Sequence, residues 1–185
     1  TFDMPSTQVF CTNLGADLIR ITNQGGSYTY AWTLNGAALA QTIADISIAA
    51  GGTYEVTATN PLTGCETTKT IVVNESEFPL FDLDDLTVFD LTGDGSNRIE
   101  VLTGIGALGI GDYEFALDGG PYQDSPVFED VPPGIHQVSV RDKNGCGTKS
   151  VAASVIGYPL YFTPNGNGQD DNWQVLGVNG VFQSQ

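Results

Sequence analysis

Short stretches along most of the chain alternate between apolar residues and small or polar residues. Tyr28, Tyr30, Trp32 and Leu34 alternate with Thr and Ala, which gives one aromatic, apolar face and one face of small side chains. Residues 53–59 alternate in the same way. Because successive side chains of a strand point to opposite faces, this pattern predicts β-strands with one buried face. The sequence therefore predicts an all-β protein.

One segment is ambiguous. Residues 37–50 are rich in Ala, which favours a helix by propensity. Ile46 and Ile48 lie two residues apart and are followed by two glycines, which favours a strand. We predict a strand here.

An internal repeat defines the organisation of the chain. Residues 30–36 (YAWTLNG) recur as residues 113–119 (YEFALDG), and residues 52–56 (GTYEV) recur as 134–138 (GIHQV), which aligns His136 with Tyr54. A Gly-Cys pair at 64–65 recurs at 145–146. A period near 80 residues suits a small β-sandwich repeated in tandem, so we predict β-sandwich modules at residues 1–76 and 77–156.

The pattern changes from Gly157 onward. A short apolar stretch, an Asn-Gly turn and a second apolar stretch follow, and 29 residues cannot enclose a core by themselves. We therefore interpret residues 157–185 as the opening strands of a third β domain. Thr1 is not a start methionine and no signal-peptide pattern follows it, so we expect a piece of a longer protein.

The charge narrows the set of partners. Lys and Arg total 6 against 22 Asp and Glu, which gives a net charge of -16. Such a chain repels nucleic-acid phosphates and anionic membrane surfaces. We expect no nucleic-acid partner and, because no long apolar run occurs, no insertion into a membrane.

The three cysteines leave two alternatives open. Cys11, Cys65 and Cys146 are too scattered for a zinc site. One of them could be a nucleophile activated by His136, the only histidine, or two could form a structural disulfide and leave one free thiol. We favour the disulfide, which would indicate an oxidising, extracellular destination.

The sequence offers little basis for catalysis. It contains no GxSxG or HExxH motif and no phosphate-binding loop. His136 could be a catalytic base, but a strand residue replacing an aromatic side chain at a sandwich corner is the better interpretation. We predict that the chain is not an enzyme.

The sequence contains one candidate metal site and one candidate sugar-binding surface. Asp82, Asp84 and Asp85 follow the junction of the modules and could bind calcium, although acidic turns are common on extracellular proteins. We expect no other cofactor. Tyr122 and Phe128 could form a sugar-binding platform, although core packing is the better account.

The repeat motifs of the two modules resemble those of a known group of proteins. The first module resembles the immunoglobulin-like (Ig-like, PKD-like) repeats of very large Bacteroidota surface proteins, and the second resembles repeats of gliding-motility adhesins. The matching residues of the first module are Cys11, Tyr30, Trp32, Asn35, Gly36, Gly52, Thr53, Tyr54, Gly64 and Cys65. Those of the second are Tyr113, Phe115, Leu117, Asp118, Gly119, Gly120, Pro121, Tyr122, Asp142, Lys143, Asn144, Gly145 and Cys146.

The tail resembles the start of the gliding-motility-associated C-terminal domain, the type B sorting signal of the type IX secretion system. The sorting-motif residues are Thr163, Pro164, Asn165, Gly166, Gly168, Asp171 and Trp173. Asn167 and Asp170 depart from the usual motif, and only about the first third of that domain is present.

The resemblance implies a disulfide between Cys11 and Cys65, because the second module lacks the early cysteine that would partner Cys146. It implies a non-catalytic adhesin or stalk segment at the cell surface, exported by type IX outer-membrane components, with an extracellular glycan or surface ligand as a candidate partner. The alternative is an accessory carbohydrate-binding array of a secreted hydrolase.

Overall fold

The chain forms two compact units, Thr1–Glu77 and Phe78–Gln185. The structure is a computed structural model that describes residues 2–22, 25–92, 96–104, 106–158, 163–166, 173 and 175–178. Regular structure in these ranges consists of strands and one short 3₁₀ turn, Leu83–Asp85. The prediction of an all-β chain built from tandem Ig-like sandwiches is confirmed.

The first unit contains seven strands in its described residues. They are β1 (Thr7–Cys11), β2 (Asp17–Ile19), β3 (Thr29–Leu34), β4 (Ala37–Ala38), β5 (Ile46–Ile48), β6 (Gly52–Thr59) and β7 (Glu66–Ser76). One sheet has the order β1-β7-β6-β3-β4, and β2 pairs with β5 in a second sheet. The β1–β7 pair is parallel, with Cys11 opposite Ser76, and the other pairs of described strands in this unit are antiparallel.

The core of the first unit lies between these two sheets. The alternating face predicted for β3 is inside, where Tyr30 and Trp32 are buried, and Trp32 donates from Nε1 to the carbonyl of Ile43 at 2.9 Å. Ile46 and Ile48 approach from the opposite sheet. A buried Trp on the third strand is a feature of Ig sandwiches. The strand interpretation of residues 46–48 is confirmed.

A second Ig feature lies at the start of β6. Tyr54 is buried, and its hydroxyl donates to the carbonyl of Ala50 at 2.8 Å. This bond from the beginning of a strand to the backbone just upstream is the tyrosine corner of Ig-like domains. It fixes the bend by which the chain passes from one sheet to the other.

The second unit contains six strands in its described residues. They are β8 (Leu86–Phe89), β9 (Arg98–Val101), β10 (Tyr113–Leu117), β11 (Val127–Phe128), β12 (Gly134–Asp142) and β13 (Thr148–Val155). Two three-stranded sheets, β10-β12-β13 and β11-β9-β8, contribute to a common core that includes Ile99, Phe115, Phe128, Val138 and Val155. This unit is a second sandwich of the same type.

The repeat in the sequence corresponds to one hairpin present in both units. Asn35-Gly36 follows β3 and Asp118-Gly119 follows β10, and all four residues have positive φ, as a tight hairpin turn requires. The two Gly-Cys landmarks also coincide in structure, since Gly64 and Gly145 each precede a cysteine in the hairpin before the last strand.

The tail is described only in part. Gly157 forms a β-bridge with Leu176, and Thr163 to Gly166 form an exposed bend. Residues 159–162, 172 and 174 of the two strands predicted in the tail lie outside the described residues. The third domain stays a prediction.

Candidate functional site

His136, Asp118 and Pro132 form a hydrogen-bonded corner in the second unit, where β12 begins. His136 is the third residue of β12, and its side chain is 8% exposed. Its Nδ1 lies 2.7 Å from Oδ2 of Asp118, and its Nε2 lies 2.7 Å from the carbonyl oxygen of Pro132. The ring therefore connects the hairpin turn after β10 to the loop before β12.

Asp118 is held by contacts at both carboxylate oxygens. Its Oδ1 accepts from the backbone N–H of Gln137 at 2.8 Å, while Oδ2 faces His136. Burial on its own would raise the pKa of Asp118, but the hydrogen bonds from His136 and from the Gln137 backbone outweigh it, so this pKa lies below its usual value. The carboxylate is therefore ionised at neutral pH.

The alignment of His136 with Tyr54 needs a correction. Strand pairing places Leu34 opposite Tyr54 and Leu117 opposite Val138, so the register equivalent of Tyr54 is Val138. His136 instead corresponds to Gly52. A side chain at position 52 would collide with Asn35, whereas in the second unit His136 binds the equivalent Asp118.

His136 nevertheless takes the role of the tyrosine corner. Tyr54 binds the carbonyl of Ala50 and His136 contacts that of Pro132, in each case four residues upstream. His136 therefore lies at a sandwich corner, as predicted, but it does not replace the aromatic side chain, because Val138 is the register equivalent of Tyr54. A general base needs a free nitrogen within reach of a substrate proton. Both nitrogens of this ring face protein oxygens, which does not suit that role.

The three aspartates of the proposed calcium site form a turn instead. Asp82 caps the 3₁₀ turn by accepting from the N–H of Asp84 at 3.0 Å, and Asp85 accepts from the N–H of Asp82 at 2.9 Å. This reciprocal arrangement is a capping box. Among the described residues no three His, Cys, Asp or Glu side chains are grouped so as to hold a metal ion. Calcium binding here stays a prediction, for which the structure supplies no ligand group.

The disulfide predicted between Cys11 and Cys65 is wrong. Cys65 is a free, exposed thiol, whereas Cys11 and Cys146 are disulfide-bonded. The cause is the length of β7. Cys11 lies opposite Ser76 at one end of that strand, and Cys65 precedes its other end. Eleven residues at about 3.3 Å each separate them by about 36 Å, far beyond the Cα separation that a disulfide can span.

Alkylation of the unreduced chain checks this assignment. Iodoacetamide should modify Cys65 and leave Cys11 and Cys146 unmodified until a reductant is added, because only the thiolate of a free cysteine reacts. Peptide mass spectrometry locates the label. A label on Cys11 in the unreduced protein would contradict the assignment.

The sorting-motif residues are only partly described. Thr163, Pro164, Asn165 and Gly166 are exposed, while Gly168 and Asp171 lie outside the described residues. Trp173 is 54% exposed, and its ring centroid lies 6.1 Å from that of Tyr158. A role for these residues in sorting stays a prediction.

The proposed sugar platform does not form. Phe128 is buried in the core of the second unit. The guanidinium of Arg141 lies over the ring of Tyr122, with its carbon 3.8 Å from the ring centroid, and Glu114 holds that guanidinium with hydrogen bonds of 2.6 and 2.9 Å. Core packing and cation–π stacking account for the two aromatic rings.

Sequence reasoning did not identify the partners of two charged groups. Lys143 bridges Asp112 and Asp124 at 3.0 and 2.7 Å, and hydrogen bonds to the two carboxylates raise its pKa. The sequence singles out Asp118 only as a residue of the repeat, although its alignment with Asn35, another residue with a side-chain acceptor, is a signal that it accepts from the backbone of the partner strand.

A cavity of about 340 Å³ lies beside the connection between β9 and β10. Glycines form much of its wall, with the rings of Tyr113 and Phe115 and the carboxylate of Asp124 at its sides. Since that carboxylate already pairs with Lys143, the cavity resembles a gap under a glycine-rich connection more than a charged ligand site.

No helix within the described ranges is long and apolar enough to cross a membrane.

Comparison with known proteins finds similarity among solved structures only. No protein-family model matches the sequence, and no curated protein matches it. Solved structures that resemble it include three N-terminal domains of the bacteriophage RB49 highly immunogenic outer capsid protein (13% identity, TM-score 0.40, 84% of this chain and 59% of that one). Another is Sidekick-1 immunoglobulin domains 1–4, with 13% identity and a TM-score of 0.36 over 85% of this chain and 51% of that one. A third is the titin I-band fragment I67–I69, with 11% identity and a TM-score of 0.41 over 85% of this chain and 66% of that one. The chain spans between half and two thirds of the length of these structures.

Proposed function

We propose that this chain is a non-catalytic segment of a secreted cell-surface protein and acts as a stalk or adhesin that extends binding surfaces away from the cell. The observation that carries this proposal is the tandem repetition of one sandwich, with the same hairpin turn in both units and, in each, a side chain that contacts the backbone carbonyl four residues upstream. Repeated sandwiches of this kind suit length and mechanical support, because each unit has its own core.

Two properties support an extracellular location. Cys11 and Cys146 are disulfide-bonded, and disulfides persist mainly in oxidising compartments. The net charge of -16 keeps such a chain soluble and limits self-association. Both properties fit a protein exposed on a cell surface.

The structure around His136 supports a non-catalytic role. The only histidine of the chain is 8% exposed and both its nitrogens contact oxygens of the protein. Its strongest neighbour, Asp118, belongs to a hairpin turn that has a counterpart in the first unit. The His-Asp pair is thus explained by the corner it builds.

Export through the type IX apparatus is the finer part of the proposal. Its support is the resemblance of the tail, in which Thr163 to Gly166 form an exposed bend and Trp173 presents much of its ring. The partners would be the outer-membrane components of that apparatus. A glycan or another surface ligand would be bound by the mature protein.

The experiment uses the hairpin between β6 and β7 as a tagging site. Leu62 at its tip is 93% exposed, so an epitope inserted there leaves the core intact. In a bacterium with type IX secretion, an antibody should label intact cells that express the tagged parent protein, and labelling should disappear when an outer-membrane component of the apparatus is deleted. A tag placed in the equivalent hairpin of the second unit is the control for accessibility.

Two results would overturn the proposal. Label that appears only after permeabilisation would exclude a surface location. A hydrolytic activity of the chain that is lost in His136→Ala, with the fold retained, would show that the segment is an enzyme.

A further inference from the structure

We propose that β8 has two positions in the second unit: the described one, paired with β9, and a second one on the outer edge of β13. The turn at residues 82–85 is the latch that holds β8 on β9. The first unit supplies the template for the second position, because its equivalent strand lies there.

Both units begin with the same segment. Residues 2–12 (FDMPSTQVFCT) align without a gap with residues 81–91 (FDLDDLTVFDL), and the Phe-Asp pair at the start and the Val-Phe pair near the end are identical. This alignment places β8 at the position of β1. The two strands are therefore counterparts, and their partners can be compared directly.

The counterparts belong to different sheets. In the first unit β1 runs parallel to β7, the last strand of the unit, and covers its outer edge. In the second unit β8 pairs with β9, and β13 is the edge strand of its own sheet among the described strands. Although β8 lies close to β13, the two strands form no ladder. The edge that holds β1 in the first unit is therefore not paired with any described strand in the second.

Backbone groups on this edge of β13 point away from β12. The N–H of Asp142 donates to the carbonyl of Gly147 at 3.0 Å, and bonded and non-bonded pairs alternate along an antiparallel ladder, so Ala152 belongs to a non-bonded pair. The register equivalent of Ala152 is Val72, whose N–H donates to the carbonyl of Ser6 at 3.0 Å. Among the described groups, none accepts from the N–H of Ala152.

Two side chains of the first unit have contacts that their counterparts lack. Phe10 of β1 is 8% exposed, whereas Phe89 of β8 is 38% exposed. Lys69 of β7 forms an ion pair with Asp3 at 3.6 Å, whereas no described carboxylate lies within ion-pair distance of Lys149, its register equivalent in β13. A strand on β13 in the register of β1 buries the ring of Phe89 and brings the counterpart of Asp3 to Lys149.

The C-terminal end of β8 is already attached to β13. The N–H of Leu91 donates to the carbonyl of Ile156 at 3.4 Å, and the carboxylate of Asp90 accepts from the N–H of Ile156 at 2.9 Å. The first of these bonds has a counterpart in the first unit, where the N–H of Thr12 donates to the carbonyl of Ser76 at 2.9 Å. Since the bond of Leu91 belongs to both positions, only the preceding residues have to swing from β9 to β13.

The turn before β8 selects the position. Asp84 takes the place of Pro5 in the alignment of the two units. Proline has no N–H and keeps the residue before it extended, so the first unit cannot form the capping bond in which Asp84 donates to Asp82. In the second unit the turn holds the carbonyl of Asp85 against the N–H of Leu102 at 2.8 Å, where the ladder of β8 with β9 begins. The capping box therefore directs β8 onto β9.

The move exchanges one ladder for another. β8 gives up its bonds to β9 and gains those that β1 has with β7, so the two states differ in free energy by much less than either ladder contributes. The carbonyl of Asp85 marks the exchange, because it accepts from Leu102 in the described position and from Ala152 in the second. The latter bond is the counterpart of the one between Val72 and Ser6. Release of the turn therefore moves β8 without unfolding the unit.

Asp84→Pro is the matched variant, because it gives the second unit the residue that the first unit has. It removes the N–H of the capping bond in a turn that contains no buried residue. In amide hydrogen exchange on the full chain, protection of the Leu102 N–H should fall by about tenfold or more, while protection of the outward N–H groups of Ala152 and Ser154 should rise by about tenfold or more. The N–H of Val72 is the internal reference and should keep its protection.

A second substitution identifies where β8 goes. Ala152→Pro removes the N–H to which β8 would bond, and proline is tolerated on an edge strand where that position faces away from the paired strand. In the double variant Asp84→Pro with Ala152→Pro, the gain of protection at Ser154 should disappear while the loss at Leu102 remains. Ala152→Pro alone should leave Leu102 as protected as in the wild-type chain.

Two results would overturn the proposal. A loss of protection at Leu102 without a gain at Ala152 and Ser154 would show that β8 detaches and has no second position. Unchanged protection at all three would show that the turn is not a latch. If Asp84→Pro fails to fold, the variant Asp85→Ser decides by the same measurements, since it also introduces the residue of the first unit and removes the other bond of the capping box.

Discussion

Trp32→Ala should lower the free energy of unfolding of the first unit by about 3–5 kcal/mol, the range measured when large aromatic side chains are removed from cores. Trp32 is 1% exposed, belongs to the buried core of the first unit and donates to the carbonyl of Ile43. Its removal would leave a large void and an unsatisfied carbonyl. A domain of this size is stable by only about 5–15 kcal/mol, so the variant should be close to unfolding.

The measurement is denaturant unfolding followed by amide exchange in β3 and β6, since the fluorescence of Trp32 is lost with the residue. Leu62→Ala is the matched control. It also removes an apolar side chain from the first unit, but Leu62 is 93% exposed, and the expected change is within about 0.5 kcal/mol. A loss below about 1 kcal/mol in Trp32→Ala would show that the residue is not the centre of the core.

The strands of this chain are predictable because their sequence signal is local. In β3, buried Tyr30 and Trp32 alternate with exposed residues, and this alternation is readable in the sequence without knowledge of any partner strand. The turns after β3 and β10 are equally local, since positive φ at Asn35 and Asp118 is a property that Asn and Asp tolerate better than most residues. The fold class follows from such signals.

The register of the strands is harder to predict, and the incorrect alignment of His136 with Tyr54 shows why. A strand repeats its facing pattern every two residues, so aligning His136 with Tyr54 or with Gly52 leaves the same side chains on the same faces. Only the partner strand distinguishes the two alignments, through Leu34 opposite Tyr54 and Leu117 opposite Val138. The alternation predicted a corner residue but could not predict which backbone position it occupies.

The cysteine pairing failed for a related reason. Cys11 and Cys65 belong to the same unit in sequence, which made a disulfide between them plausible. The parallel pairing of β1 with β7, however, is a long-range contact that no local pattern encodes. It places Cys11 beside Ser76, a full strand length from Cys65. The acidic turn at residues 82–85 shows the same limit, because composition shows that carboxylates are present but not that backbone amides already bind them.

Asp142→Ala should cause the second largest loss of stability. Asp142 is 1% exposed at the end of β12, and its carboxylate accepts from the N–H of Cys146 at 3.0 Å and from that of Asp112 at 3.3 Å. A buried carboxylate is stable only when hydrogen-bonded, and here two backbone segments depend on it. Its removal leaves both N–H groups without this acceptor, which should lower the free energy of unfolding of the second unit by about 2–4 kcal/mol.

Asn60→Ala is the matched variant in the first unit, where Asn60 occupies the equivalent hairpin and accepts from the N–H of Leu62 at 2.9 Å and of Thr63 at 3.3 Å. Leu62 and Thr63 are exposed, so water replaces the lost acceptor and the expected loss in the free energy of unfolding is about 1 kcal/mol or less. Asp142→Asn, which keeps one carbonyl oxygen, should fall between the two alanine variants. Denaturant unfolding followed by amide exchange in β12 and β6 measures the changes. Equal losses in Asp142→Ala and Asn60→Ala would mean that burial does not determine the effect, because the two hairpins differ chiefly in their access to water.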